Sequence, residues 1–276
     1  MNAQELDLEN LPWSIADISS AVFDIDGTLS REDSSTSEET IAALRALSDA
    51  GIPITLATGR VLHGAANLLH RAEITGWVVS AGGTVVWDGH DVVVEHRMSV
   101  DEITRLTTLC DETGFVPFYF GPEKIYTDRD ALERHGVLEV TENSSEGLSV
   151  TPLSELNTAD ITKASLAGTC EQIDRHFSAV HAEFPQAVRA HDFFIDIMPA
   201  DITKWDGIQY ALAARNLDPE RTLGVGDSDN DIAWLTQIGH PIGAPGASAG
   251  VREIAHWVLP PMTDSVAALI MRLVQN

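Results

Sequence analysis

The chain has 276 residues, with 42 aspartates and glutamates against 17 lysines and arginines, which gives a formal net charge of -25 at pH 7. A surface this acidic repels nucleic acid and anionic membranes, so neither is expected as a partner. Residues 1–20 lack the apolar stretch of a signal peptide, and the two cysteines, Cys110 and Cys170, match no metal-binding spacing. We expect a cytoplasmic protein with buried, reduced thiols and room for a core domain plus an inserted one.

The first predicted strand carries two carboxylates at its carboxyl end. Residues 20–25 form an apolar run, Asp24 and Asp26 stand at its end, and Gly27 permits a sharp turn. Open α/β sheets place their ligand sites at the carboxyl ends of strands. Taken alone, this pattern fits a cation-assisted catalytic site and a simple Asp-Gly turn about equally well.

Strand and helix signals alternate through the following segment. A helix is predicted near 38–50 and ended by Gly51, an apolar strand then runs to Thr58, and another strand is predicted at 77–79. This alternation predicts a Rossmann-like α/β core, a doubly wound parallel sheet with helices on both faces. Thr58 could cap the next helix or reach a phosphate oxygen.

The pattern changes after Gly83, which predicts an inserted α+β cap domain. Its expected elements are a hairpin about Asp88-Gly89, whose outer strand could still rest on the core, a helix from the capping box at 99–102 to Gly114, strands at 115–120, 124–127, 163–167 and 193–198, and a helix at 170–184. The polar run 141–147 is expected to be an exposed loop. We expect residues 1–84 and 195–276 to form the discontinuous catalytic core and residues 85–194 to form the cap, which determines substrate specificity.

The chain returns to the core through a helix with an unusual first turn. Thr203 is the expected N-cap and Asp206 its partner three residues on. Lys204 opposes the helix dipole unless an anion lies nearby. Most first-turn lysines are merely solvated, so Lys204 alone predicts little.

The strand pattern at 222–226 leads into an acidic loop. Asp227, Asp229 and Asp231 alternate as in a calcium-binding loop, but isoleucines stand at the sixth and twelfth positions, where such a loop needs glycine and glutamate. A second strand end with carboxylates remains. Beside the first in a parallel sheet, it would form an oxygen-ligand site suited to magnesium.

Four segments in this order form a recognisable set. They are Asp24-Ile25-Asp26-Gly27-Thr28-Leu29, Ala57-Thr58-Gly59-Arg60, Lys204 and the run from Gly226 to Asp231. Their order and spacing resemble the haloacid dehalogenase (HAD) superfamily of phosphohydrolases, and more closely its Cof-type subfamily IIB, which carries a large cap. The resemblance covers nearly the whole chain, with the cap matched only by position and length.

The resemblance implies a magnesium-dependent phosphatase that forms an aspartyl-phosphate. Asp24 would be the nucleophile and a Mg²⁺ ligand, and Asp227 a further ligand. Asp26 would protonate the leaving group, then activate water, while its backbone carbonyl binds the metal.

The resemblance also assigns residues to the phosphoryl oxygens. Thr58, Gly59, Lys204 and Asn230 would hold them, and Asp231 would orient Lys204 or metal-bound water. The chain departs from the subfamily in three places. They are Gly82, where an asparagine is usual, and Asp201 and Trp205, where glycines are usual. None of these departures removes a proposed catalytic carboxylate or Lys204.

Substrate identity is expected to depend on the cap. The candidate contacts are Tyr119, Lys124, Tyr126, Arg129, Arg189 and His191, together with Arg60 from the core. Each could equally be a packing or surface residue. The resemblance implies a small phosphorylated metabolite, with sugar phosphates first, acted on by a monomer or homodimer.

Two other functions share these motifs. A phosphomutase would use the same core but needs a cation-rich cap, whereas residues 85–195 are not basic. A non-catalytic phosphosugar-binding regulator would need no intact set of Asp24, Asp26, Thr58, Lys204 and Asp227.

Overall fold

The computed structural model describes residues 3–31, 35–122, 124–128, 130, 133 and 148–276. The chain divides into a first unit of residues 1–93 and 204–276 and a second unit of residues 94–203. The predicted domain boundaries, at 84/85 and 194/195, each lie nine residues before the observed ones, at 93/94 and 203/204. Arg129 and the loop predicted at 141–147 lie outside the described residues.

A mixed sheet of nine strands, counted over the described residues, runs through the first unit. In spatial order the strands are β1 (Gln4–Glu5), β15 (Trp257–Val258), β14 (His240–Gly243), β13 (Thr222–Gly226), β2 (Ser20–Phe23), β3 (Ile54–Ala57), β4 (Trp77–Ser80), β5 (Val85–Trp87) and β6 (Val92–Glu95). Neighbours from β1 to β4 are parallel, and β5 joins β4 in antiparallel orientation. The predicted α/β fold is confirmed.

Helices cover both faces of this sheet. The α-helices of the described chain are α1 (Glu38–Asp49), α2 (Leu62–Ala72), α3 (Val100–Thr113), α4 (Cys170–Glu183), α5 (Lys204–Ala214), α6 (Ile232–Leu235), α7 (Ala249–Ile254) and α8 (Ser265–Gln275). Of these, α3 and α4 belong to the second unit and the others to the first. Phe23 and Leu56 point to one face, where they share a buried cluster with residues of α1, α2 and α8. On the other face, a Cβ at Gly207 of α5 would lie 2.5 Å from Val79 of β4. The absent side chain lets α5 pack directly on the sheet.

The strand order reverses direction between β2 and β13. The chain proceeds from β2 to β3 and β4 on one side, whereas β13 and β14 lie on the other. Asp24 N donates to Val225 O at 3.0 Å, so the carboxyl ends of β2 and β13 are adjacent. Ligand sites of open α/β sheets lie at such a switch point.

Over its described residues, the second unit contains a six-stranded sheet with helices α3 and α4 on one face. The strand order is β11 (Val188–His191), β12 (Phe194–Ile197), β10 (Lys163–Ala167), β7 (Val116–Phe120), β8 (Lys124–Thr127) and β9 (Ser149–Pro152). Leu106 of α3 and Ile173 of α4 pack with Ala164 and Ile195 of the sheet. The sequence predicted α3, α4, β7, β8, β10 and β12, and these elements are confirmed, whereas β9 and β11 were not predicted.

Both cysteines are free thiols, but only Cys110 is buried. Cys170, the first residue of α4, is exposed, so the prediction of two buried thiols was wrong for this residue. In the part of the chain that the structure describes, no helix is long and apolar enough to cross a membrane.

The start of α3 is stabilised by a capping box that also anchors a distant segment. Glu102 Oε2 accepts hydrogen bonds from Ser99 N and Oγ, both at 2.7 Å, and Oε1 accepts from Ala200 N at 2.8 Å. Burial opposes ionisation of Glu102, but these hydrogen bonds outweigh it and lower its pKa below the ordinary value.

Glu102→Ala is expected to lower the free energy of unfolding by about 1–2 kcal/mol, since it leaves backbone donors unpaired. Because the pKa of Glu102 is lower in the folded state than its unfolded value of 4.5, the ionised carboxylate stabilises the fold above pH 4.5. This stabilisation is lost as the pH falls and the carboxylate is protonated. Glu102→Gln, which keeps the shape, should therefore differ from wild type at pH 7 and converge with it in acid. Thermal unfolding over pH 3.5–7 measures both effects. A difference in unfolding temperature between Glu102→Gln and wild type that widens in acid would contradict them.

Candidate active site

Three buried charged side chains meet at the carboxyl end of β2. Lys204, the first residue of α5, donates from Nζ to Asp24 Oδ1 and Asp231 Oδ1, each at 2.7 Å. The side chain of Lys204 is 3% exposed, and those of Asp24 and Asp231 are 5% and 0% exposed. The first-turn lysine therefore has anions beside it, and they belong to the protein itself.

Asp231 is occupied on both oxygens. Oδ1 also accepts from Trp234 Nε1 at 2.9 Å, and Oδ2 accepts from the backbone N of Asp227 and of Ser228, each at 3.1 Å. Such contacts orient Lys204 and shape the loop after β13, the role that the resemblance implies for Asp231.

Asp227 completes an acidic cluster with Asp24 and Asp231. One carboxylate oxygen from each of the three lies within 4.8 Å of the others. Because Asp231 is already saturated by donors, Asp24 and Asp227 are the carboxylates that could hold a cation. Oxygen ligands of this kind suit Mg²⁺, so the residues fit the metal that the resemblance implies.

The pKa values reflect an excess of acidic groups over cationic groups in the cluster. Burial raises the pKa of Asp24 well above its usual range; Lys204 opposes this rise, while Asp231 and Asp227 add to it. Burial, followed by repulsion from Asp231, raises the pKa of Asp227 to about 6. Burial disfavours the charge on Lys204, but its two carboxylate partners outweigh this and raise its pKa, so it is an ammonium. One ammonium faces three carboxyl groups, and a bound cation would favour their ionised forms.

Asp26 stands apart from this cluster. Its side chain is 53% exposed and forms an ion pair with Arg60, whose Nη2 lies 2.5 Å from Asp26 Oδ1. Sequence reasoning placed Arg60 on the substrate, whereas the structure places its guanidinium on the expected general acid.

A neighbouring loop holds Thr58 and the residues that follow it. Gly82 N donates to Thr58 O at 3.0 Å and Ala81 N to Arg60 O at 2.7 Å. Gly82 has a φ of +72°, which favours glycine and explains why this residue can replace the usual asparagine. Thr58 is fully buried, and its Oγ1 accepts from Arg60 N at 3.1 Å, which leaves the hydroxyl hydrogen able to donate to a phosphoryl oxygen. The backbone of Gly59 lies in the same loop.

Three polar residues of the site were not identified from the sequence. Thr28 Oγ1 donates to Asp227 Oδ1 at 3.4 Å, Trp234 Nε1 donates to Asp231, and Ser228 Oγ donates to Asn230 Oδ1 at 2.9 Å. The last contact occupies the carbonyl of Asn230, so its amide nitrogen is the group suited to an anion. Thr28 and Ser228 carried a sequence signal, because they lie within the first and fourth motif segments, whereas Trp234 lies outside them.

The candidate substrate residues of the second unit make structural contacts. Tyr119 and Tyr126 lie in the buried cluster on the helix-covered face, and the Tyr119 hydroxyl bonds Thr107 of α3 at 2.9 Å. Arg189 Nη1 donates to Asp174 of α4 at 2.6 Å. Alternate residues of a strand face opposite sides of a sheet, and these three side chains face the helices. Lys124 is exposed on β8.

Comparison with known proteins agrees with this geometry. The sequence model of the haloacid dehalogenase-like hydrolases matches residues 21–270. A protein of Streptococcus pyogenes serotype M6, provisionally named a phosphatase, is 25% identical over 262 residues, which are 92% of this chain and 97% of the relative.

Solved structures show the same fold. A haloacid dehalogenase-like hydrolase from Bacteroides thetaiotaomicron has a TM-score of 0.80 at 18% identity, over 93% of this chain and 99% of that one. The HAD subclass IIB sugar phosphatase BT4131 has a TM-score of 0.75 at 21% identity, over 92% and 98%. The match to the family's sequence model carries the classification: this chain belongs to the haloacid dehalogenase-like hydrolases.

Proposed function

We propose that the protein is a magnesium-dependent phosphatase of a small phosphorylated metabolite, with a sugar phosphate as the first candidate. The observation that carries the proposal is the buried Asp24 beside Lys204 and Asp227 at the switch point of the sheet. The name of the subclass IIB sugar phosphatase supports the substrate class. The second unit would select the substrate.

The reaction needs an in-line nucleophile and neutralisation of a phosphoryl group. Asp24 attacks phosphorus, and its new O–P bond replaces the ester O–P bond. Asp26 gives a proton to the leaving oxygen, then takes one from the water that hydrolyses the aspartyl-phosphate. Lys204, Thr58, the Gly59 amide and the Asn230 amide bind the phosphoryl oxygens.

Asp24, Asp227 and the backbone carbonyl of Asp26 would hold Mg²⁺. When bound, the metal supplies positive charge that removes the repulsion between Asp24 and a phosphate dianion. Because the chain as a whole carries -25, the site depends on such local positive charge to admit an anionic substrate.

The proposal is tested by phosphate release from a panel that includes glucose 6-phosphate, ribose 5-phosphate, glycerol 3-phosphate and p-nitrophenyl phosphate, in Mg²⁺ and in EDTA. We expect release that requires Mg²⁺ and differs among esters. Isomerisation of a sugar phosphate without release would favour the phosphomutase. Thermal stabilisation by esters without turnover would favour the binding protein, and either result overturns the proposal.

Gly27→Ala is expected to lower turnover by displacing Asp227. Gly27 has a φ of +80°, and a Cβ there would lie 2.8 Å from Asp227 Cγ. The backbone strain costs about 1–2 kcal/mol, and a displacement of about 1 Å at a catalytic group can cost about 10²-fold in rate. Gly51→Ala is the matched control, since Gly51 has a φ of +83° with nothing within 4 Å of the added Cβ. Equal activity loss in both variants would show strain alone.

A further inference from the structure

The guanidinium of Arg60 forms a fork of hydrogen bonds to the carboxylate of Asp26. Nη2 donates to Oδ1 at 2.5 Å, and Nε donates to Oδ2 at 3.0 Å and to Oδ1 at 3.2 Å. Oδ1 is therefore held by two nitrogens of one planar group. Planar forks of this kind fix direction as well as charge.

Arg60 is itself held at both ends. Its backbone N donates to Thr58 Oγ1, and its backbone O accepts from Ala81 N. Nη2 also donates to Ser30 Oγ at 3.4 Å, and that hydroxyl in turn donates a hydrogen bond to Ile25 O at 3.0 Å. The side chain thus spans from the end of β3 to the loop after β2, and only 20% of it is exposed although Asp26 is 53% exposed. Arg60 is thus the more buried partner of the pair.

We propose that Arg60 is a positioning residue for proton transfer, which directs the carboxyl group of Asp26 at the leaving-group oxygen. The inference rests on the proposed phosphatase function. When the Asp24–phosphorus bond forms, the ester O–P bond breaks and the proton of the Asp26 carboxyl moves to the departing oxygen. Arg60 exchanges no proton. Nη2 holds Oδ1, and Nε lies within hydrogen-bond distance of both oxygens, so the plane of the carboxyl group stays fixed when Oδ2 carries the proton.

A positioning role for the fork differs from a general role for positive charge. Lysine at position 60 would retain the charge but could not bind two carboxylate oxygens in one plane. A residue that merely bound the phosphoryl group would act on every ester alike, because all of them present the same phosphoryl oxygens.

The experiment compares leaving groups. Protonation matters for a basic alkoxide and matters little for 2,4-dinitrophenolate, which leaves without an acid. We expect Arg60→Met to lower kcat/KM for the best alkyl ester of the panel by about 10²-fold, within the range for general acid catalysis, and to leave that for 2,4-dinitrophenyl phosphate within about 3-fold. Arg60→Lys should show the same selectivity. Arg71→Met, which breaks the 3.2 Å ion pair with Glu38 elsewhere in the first unit, should leave the ratio unchanged.

The outcomes separate this inference from the function on which it rests. Equal loss on both esters, a ratio restored by Arg60→Lys, or faster hydrolysis of the alkyl ester in Arg60→Met each overturns the positioning role while the phosphatase stands. Absence of phosphate release by the wild-type protein overturns the function itself. Circular dichroism and the unfolding temperature show whether each variant is folded.

Discussion

Asp24→Asn is expected to remove phosphatase turnover, with kcat reduced on the order of 10⁴-fold or more, the scale found when a nucleophile is deleted. An amide cannot form the aspartyl-phosphate. The fold should survive, because the substitution also removes one of three carboxyl groups that repel one another around Lys204. Lys204 keeps Asp231 as its partner at 2.7 Å.

Single-turnover phosphate release and thermal unfolding measure the two effects separately. Asp229→Asn serves as the matched control, since Asp229 lies in the loop after β13 and accepts from Ser248 Oγ at 2.6 Å rather than joining the cluster. Its turnover should stay within about 3-fold of wild type, as for surface changes away from the chemistry. A folded Asp24→Asn variant with near wild-type turnover would show that Asp24 is not the nucleophile.

Lys204→Met is expected to lower both stability and activity. Removal of one partner from a buried ion pair costs about 3–5 kcal/mol, because the remaining charge is left uncompensated. Here Asp24 and Asp231 both lose the ammonium. The stability penalty should shrink in acid, where the unpaired carboxyl groups become protonated.

Lys163→Met separates instability from lost phosphate binding. Lys163 Nζ lies 2.6 Å from Asp196 in the second unit, and the side chains are 7% and 15% exposed. This variant should lose comparable stability by the same mechanism and keep most of its turnover at temperatures where it is folded. If Lys204→Met retains turnover under those conditions, Lys204 does not hold the phosphoryl group.

The sequence predicted the α/β class and the positions of most elements before the acidic loop. Strand and helix periodicity at 20–25, 38–50 and 77–79 was sufficient, because each segment has a strong local pattern. The predicted strand at 124–127 also formed. Strands β14 and β15 and helices α7 and α8 received no prediction. The strands among them are short. β14 pairs with β13 and β15 pairs with β14, and both pairings depend on contacts distant in sequence.

The candidate active site was likewise predicted in part from the sequence. The sequence by itself determined that Asp24 and Asp227 follow the ends of parallel strands and that Lys204 begins a helix, because motif spacing and periodicity are local properties. Only the tertiary structure decided that Asp231 is saturated, that Arg60 holds Asp26, and that Tyr119 points into a helix-covered core. These facts depend on strand order and side-chain direction, and both are set by long-range pairing rather than by neighbours in the chain.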